Sequence, residues 1–287
     1  ISDNNGDLLF YTDGQSVYNK NHTLMPNGSF LTGHSSSSQS GVIVKKPASA
    51  SIYYIFTVDG MSGQNGNGLY YSEVDMDLDG GLGDITTNKN VMLFSGGDEK
   101  VTAIKHANDV DFWIIGRVMN TNMYNAYLLS NIGVNTTAIS TNIGQNYGGS
   151  TIGYLKGSPS GNKLIACNYN GSPKINLFDF DNNTGILSNN QNFTNVPSQP
   201  AYGIEFSPSG DLLYISTVDG NPAQIYQYNL SLSTFSDINN SGTEIGTVAG
   251  TGGALQLASD RRIYMANGYP TVSNLSYVSD PDSIGFS

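Results

Sequence analysis

One short phrase recurs along this chain at steps close to fifty residues, and that period limits the possible folds more than any other feature of the sequence. The matching runs are "GDLLFYT" (6–12), "SIYYIFTV" (51–58), "VDFWIIGRV" (110–118), "GNKLIACNY" (161–169), "GDLLYISTV" (210–218) and "RRIYMAN" (261–267). With Leu9, Tyr54, Trp113, Leu164, Leu213 and Ile263 as anchors, the steps are 45, 59, 51, 49 and 50 residues. A second aromatic-rich alternating run follows each anchor, such as "GLYYSEVD", "KINLFDFD" and "QIYQYNL". In most modules a third run precedes it, as in "SGVIVKK", "KVTAIKH" and "YGIEFS". Alternating runs joined by Gly, Asn, Asp and Pro read as antiparallel hairpins.

A repeated unit of this size cannot bury both faces of its sheet alone, so it must stack against its neighbours. The sequence therefore predicts an all-β chain, a β-propeller of six or seven four-stranded antiparallel blades of the WD40 or YVTN-like kind. Parallel β-helix coils are much shorter, and tandem sandwiches would not keep one phrase in step throughout. Residues 1–287 read as a single propeller domain. Its first module lacks an inner run before Ile1 and its last an outer run after Ser287, so a fragment of a longer chain is expected.

Composition narrows the function classes. A net charge of -11, with the 12 basic residues scattered, does not provide the clustered cations that track a phosphate backbone. Nucleic acid is set aside as a partner. No stretch approaches the roughly 18 apolar residues of a membrane span. The single cysteine, Cys167, allows no intrachain disulfide and reads as a small buried hydrophobe within "KLIACNY".

The order and spacing of "SDNNGDLLFYTDGQSVYNKNHTLMPNG", "LYYSEVDMDLDGGLGDI", "GYLKGSPSGNKL", "YGIEFSPSGDLLYIS" and "GALQLASDRRIYMA" resemble the N-terminal propeller region of large secreted Bacteroidetes surface proteins. Those proteins often carry PKD repeats and a gliding-motility-associated C-terminal domain. The resemblance implies an extracellular or cell-surface setting and export by the type IX secretion machinery. It brings no catalytic residues. Family members tend to have Pro-Asp-Gly turns, where this chain has Pro159-Ser160-Gly161, Pro208-Ser209-Gly210 and Ser259-Asp260-Arg261. The first two keep Gly for the positive-φ position, and the third is expected to use another turn type.

Several constellations could carry chemistry. In "DMDLDGGLGD", Asp75, Asp77 and Asp79 alternate before Gly80, the way a calcium loop begins, but Thr86 stands where an EF-hand needs Glu. Calcium is the cofactor this loop could hold, against the plainer reading of an acidic turn closing a hairpin. Asp179, Asp181 and Asn183 repeat the spacing in a segment that explains itself as a turn. His106, Glu205 and Gln256, on or beside inner-strand runs, are candidates to line a central channel. The plainer readings are a structural histidine for His106 and pairing with a neighbouring blade's lysine for Glu205. The Gly-rich stretches 60–68 and 249–254 lack the Lys-Ser or Lys-Thr of a phosphate loop. The loop aromatics Tyr147 and Tyr269 could stack on sugar rings or a protein partner.

No catalytic constellation is legible. The expected function is thus a non-enzymatic extracellular binding or adhesion module, its loops presented to a surface glycan or a protein ligand. The alternatives are a carbohydrate-active propeller enzyme, hydrolase or lyase, and a structural passenger of a secreted protein. Function is expected in the segments that differ between modules, especially 59–68, 75–84 and 144–150.

Overall fold

The computed structural model describes residues 1–60, 68–146, 152–169, 171, 174–266 and 274–285, so Tyr147 and Tyr269 lie outside the described residues. The chain is all-β, a β-propeller built of antiparallel sheets, and it divides into two compact units.

The first unit comprises Ile1–Asn142 with Asn182–Ile186. Strands β1 (Phe10–Thr12) and β2 (Val17–Asn19) pair as a short ribbon. The next sheet holds β3 (Gly41–Lys45), β4 (Ile52–Val58), β5 (Gly68–Asp75), β6 (Asp84–Ile85) and β7 (Val91–Ser95). A third contains β8 (Gly97–Lys105), β9 (Phe112–Val118), β10 (Met123–Ser130), β11 (Gly133–Val134) and β12 (Ile139–Asn142). Both five-stranded sheets have four positions, because β6 and β7 share the outer edge of β5, and β11 and β12 that of β10.

The second unit comprises Ile143–Asp181 and Leu187–Ser287. One four-stranded sheet runs β13 (Leu155–Gly157), β14 (Lys163–Cys167), β15 (Ile175–Asp181), β16 (Ile186–Asn192). The next runs β17 (Ala201–Phe206), β18 (Leu212–Thr217), β19 (Ala223–Asn229), β20 (Thr243–Val248). The last is three-stranded, with β21 (Leu255–Leu257), β22 (Ile263–Met265) and β23 (Ser276–Val278). The one α-helix among the described residues, α1 (Phe235–Asn240), starts where the Thr234 side chain caps the N–H of Asp237. No described helix is long and apolar enough to cross a membrane.

The repeated phrase is the second strand of five of the sheets and the first, β1, of the two-stranded ribbon. In β18 all six residues are buried, and Leu213 stands between Phe206 of β17 and Tyr228 of β19. Such strands are covered on both faces, which is why they read as continuous apolar runs. Phe206, Leu213, Ile215 and Tyr228 join Ile165, Cys167 and Leu177 in one core cluster, so Cys167 is indeed a core residue. Burial of each large apolar side chain there contributes about 1.5–3 kcal/mol.

The inner hairpin turns share one geometry. Gly161 and Gly210 take φ of 73° and 83°, with N–H bonds to the carbonyls of Ser158 and Ser207. Arg261 takes φ of 67° with the same bond to Ala258. The expectation of another turn type at 259–261 is therefore corrected. Backbone closure sets the conformation, and Arg261 adopts a left-handed state that glycine reaches without strain.

Candidate functional site

In the first unit, the entries to the inner strands and the exits from the second strands of two successive sheets come together, and polar groups gather there. The ideal Cβ of Gly97, at the start of β8, would stand 3.1 Å from the backbone of Gly68, which opens β5. Val58 pairs with Leu69, so Asp59, one residue past the end of β4, lies beside this close approach. Asp98, Glu99 and Lys100 follow on β8, and Arg117 comes from the far end of β9.

Asp98, Lys100 and Arg117 form a buried ionic cluster with no side-chain exposure at all. The Asp98 carboxylate is 2.9 Å from Arg117 Nε and 3.5 Å from Lys100 Nζ. Burial pushes the Asp98 carboxyl above its usual range, while the charges of Lys100 and Arg117 draw it part of the way back. Glu99 faces the entry to β3, where its Oε2 accepts the N–H of Ser38 at 2.9 Å and the Ser38 hydroxyl at 2.8 Å. The chain at this end is thereby clamped to the neighbouring sheet.

Asp59 differs from the cluster in its pairing. It is 3% exposed, and its Oδ1 accepts the N–H of Gly60 at 2.8 Å. Its Oδ2 is buried and accepts no hydrogen bond among the described residues. Unsatisfied buried carboxylate oxygens are uncommon, because each forfeits hydration without return. Against Gly60 stands the imidazole of His34, which a Cβ on Gly60 would meet at 2.7 Å. His34 Nδ1 accepts the N–H of Ser36 at 3.1 Å. In the neutral ring that leaves Nε2 as the donor. An imidazole donor and a carboxylate acceptor on neighbouring segments can between them polarise an oxygen and take a proton from water.

The residues expected to line a channel are placed differently. His106 lies in the turn after β8, half-buried, with Nδ1 accepting the N–H of Asn108 and its ring stacked on Trp113 at 5.7 Å. It is a structural histidine. Glu205 and Gln256 belong to the second unit and do come together there. Lys156 donates to Glu205 at 2.9 Å and to Gln256 at 3.0 Å, linking the inner strands of three successive sheets. Glu205 also accepts the backbone N–H groups of Leu257 and Phe206, so its pairing with a neighbouring sheet's lysine is complete.

Asp75, Asp77 and Asp79, the residues of the calcium reading, lie in an acidic turn. Asp75 Oδ1 accepts the N–H of Asp77, an Asx turn, while Asp79 opens a left-handed stretch running into Gly80 and Gly81. The carboxylates are spent on the turn or turned to water. No three acidic, histidine or cysteine side chains among the described residues converge as a metal would need.

Asp59 lies in a segment that the sequence marks as variable between modules, whereas the cluster was missed. Its one legible signal is a lone Arg117 inside the apolar run "FWIIGRV", where an arginine demands a buried partner.

No family model matches the chain, and no curated protein does. Solved structures share its fold. The periplasmic gluconolactonase PpgL of Pseudomonas aeruginosa superposes with a TM-score of 0.51 at 10% identity, over 94% of this chain and 80% of that one. The hydrazine synthase of Kuenenia stuttgartiensis does so with a TM-score of 0.57 at 11% identity, over 96% and 81%. Both are named as enzymes, which corrects the expectation of a non-enzymatic binding or adhesion module: a propeller of this kind without a recognisable motif is no sign of a purely adhesive role. Identity this low establishes the fold alone, so what the chain is similar to is a set of propellers among which enzymes figure.

Proposed function

We propose that the chain is a propeller hydrolase acting on a small, oxygen-rich sugar derivative, of which an aldonolactone is the simplest case. The observation that carries this reading is the buried Oδ2 of Asp59, which accepts no hydrogen bond among the described residues, one residue before the Gly60 against which the half-buried His34 stands. Asp59 takes a proton from the attacking water. As the water oxygen bonds to the carbonyl carbon, His34 Nε2 donates to the carbonyl oxygen on which negative charge develops; when this intermediate collapses the ring C–O bond breaks, and Asp59 returns the proton to the leaving ring oxygen. The Asp98–Lys100–Arg117 cluster fixes the backbone beneath and supplies an oriented field without touching substrate. The name of the gluconolactonase that shares the fold supports the choice of substrate class. The extracellular setting implied by resemblance belongs to the same reading, with the substrate met outside the cell.

The test is proton release from D-glucono-1,5-lactone and related aldonolactones. The chain is expected to hydrolyse at least one well above the buffer rate, and Asp59→Asn to lower kcat by about 10²-fold or more. The substitution keeps the Oδ1 acceptor for Gly60, so the turn survives and circular dichroism stays unchanged. A wild-type rate equal to buffer on every lactone and on a polysaccharide panel would sink the proposal.

A further inference from the structure

In the second unit a cavity of about 340 Å³ opens where the Gly-rich stretch 249–254 enters β21, lined by Tyr202, Val218, Thr251–Ala254 and Ala266. The glycines are there because nothing larger fits. A Cβ on Gly252 would stand 1.9 Å from the Thr217 carbonyl, and one on Gly253 would stand 2.1 Å from that of Ala266. The stretch that fails as a phosphate loop is thus a thin wall threaded between two sheets, and it leaves room on its other side.

The lining decides the chemistry of an occupant. Among the described residues no charged side chain contributes to it, so neither an anion nor a cation is favoured. Tyr202 offers a half-buried ring, held by edge-to-face packing on Tyr154 with centroids 5.4 Å apart. Val218 and the small residues form an apolar floor. Thr251 supplies a hydroxyl among these small residues. A flat ligand with an apolar face and a hydroxylated edge matches this lining: the face on Tyr202, the hydroxyls toward Thr251 and the wall's backbone groups.

We propose that this cavity is a binding subsite for a neutral pyranose ring, a function distinct from the hydrolysis assigned to the first unit. The site stands on residues of the second unit alone, so it does not depend on Asp59.

The experiment is calorimetric titration of the intact chain with methyl β-D-glucopyranoside, methyl β-D-galactopyranoside and methyl β-D-xylopyranoside, none of which is a lactone. At least one should bind with a millimolar Kd. Tyr202→Ala should weaken it about tenfold. Ala266→Leu, at an exposed position where folding is safe, should fill the cavity and abolish binding. Asp59→Asn should leave binding unchanged even if it removes hydrolysis. The proposal fails if no glycoside binds, or if binding survives Ala266→Leu at wild-type strength.

Discussion

The left-handed residue of the inner hairpin turns shows most simply what a single position contributes. Gly210 has only Pro159 Cδ, at 3.6 Å, near the place of an added Cβ, so a methyl group there meets conformational strain and no collision. Gly210→Ala is expected to cost about 1–2 kcal/mol, read from urea denaturation. Arg261 already carries that strain, and its ion pair with Asp282 is at the surface. Arg261→Ala should therefore change stability by less than about 0.5 kcal/mol. Equal losses at the two positions would contradict a shared turn. The glycines of these turns were legible in the sequence, since a positive φ selects glycine. Arg261 was not, because closure of the flanking strands overrides the local preference of the residue.

At the scale of elements, the β8–β9 hairpin is the one most exposed to electrostatics. Asp98→Asn removes the charge that Lys100 and Arg117 share and keeps the shape of the side chain. The pH dependence has a definite sign. The folded chain holds the Asp98 proton more tightly than the unfolded chain does, since its pKa is raised from 3.8. That contribution to stability is complete below 3.8 and is lost as pH rises through the folded value. The stability gap between wild type and Asp98→Asn should accordingly narrow with rising pH over that window, and a gap that widens would contradict the assignment. The loop at 75–81 makes a simpler prediction. Because its carboxylates do not converge, calcium in large excess should leave the melting temperature unchanged, whereas a bound ion would raise it by mass action.

For the whole molecule, architecture was far more legible than chemistry. The anchors from Tyr54 to Ile263 fall on the second strands of five successive sheets and Leu9 falls beside β1 of the ribbon, because a strand covered on both faces must be written as an apolar run whatever its neighbours are. The partner of Glu205 was legible in kind, as a lysine on an adjacent sheet, for the same reason of repetition. The candidate site was legible only through Asp59, in a stretch that differs between modules. Asp98, Lys100, Arg117 and His34 are separated by up to 83 residues in the chain, and no local pattern ties residues that meet only across sheets. A binding role was inferred from missing motifs, and that inference fails because propeller sites are assembled from strand ends and loops, not from contiguous signatures.

The buried cluster also bears on how the chain finds its fold. The pairing of β8 with β9 is irregular between Gly97 and Val101, where Asp98 and Lys100 of the cluster lie. An apolar hairpin could slide by two residues and keep every face correctly oriented. Arg117 cannot: a slide would carry the guanidinium away from Asp98 and leave ionic groups stranded in the interior. Three charges that add little net stability thus act as a registration mark, admitting one alignment of two otherwise interchangeable strands.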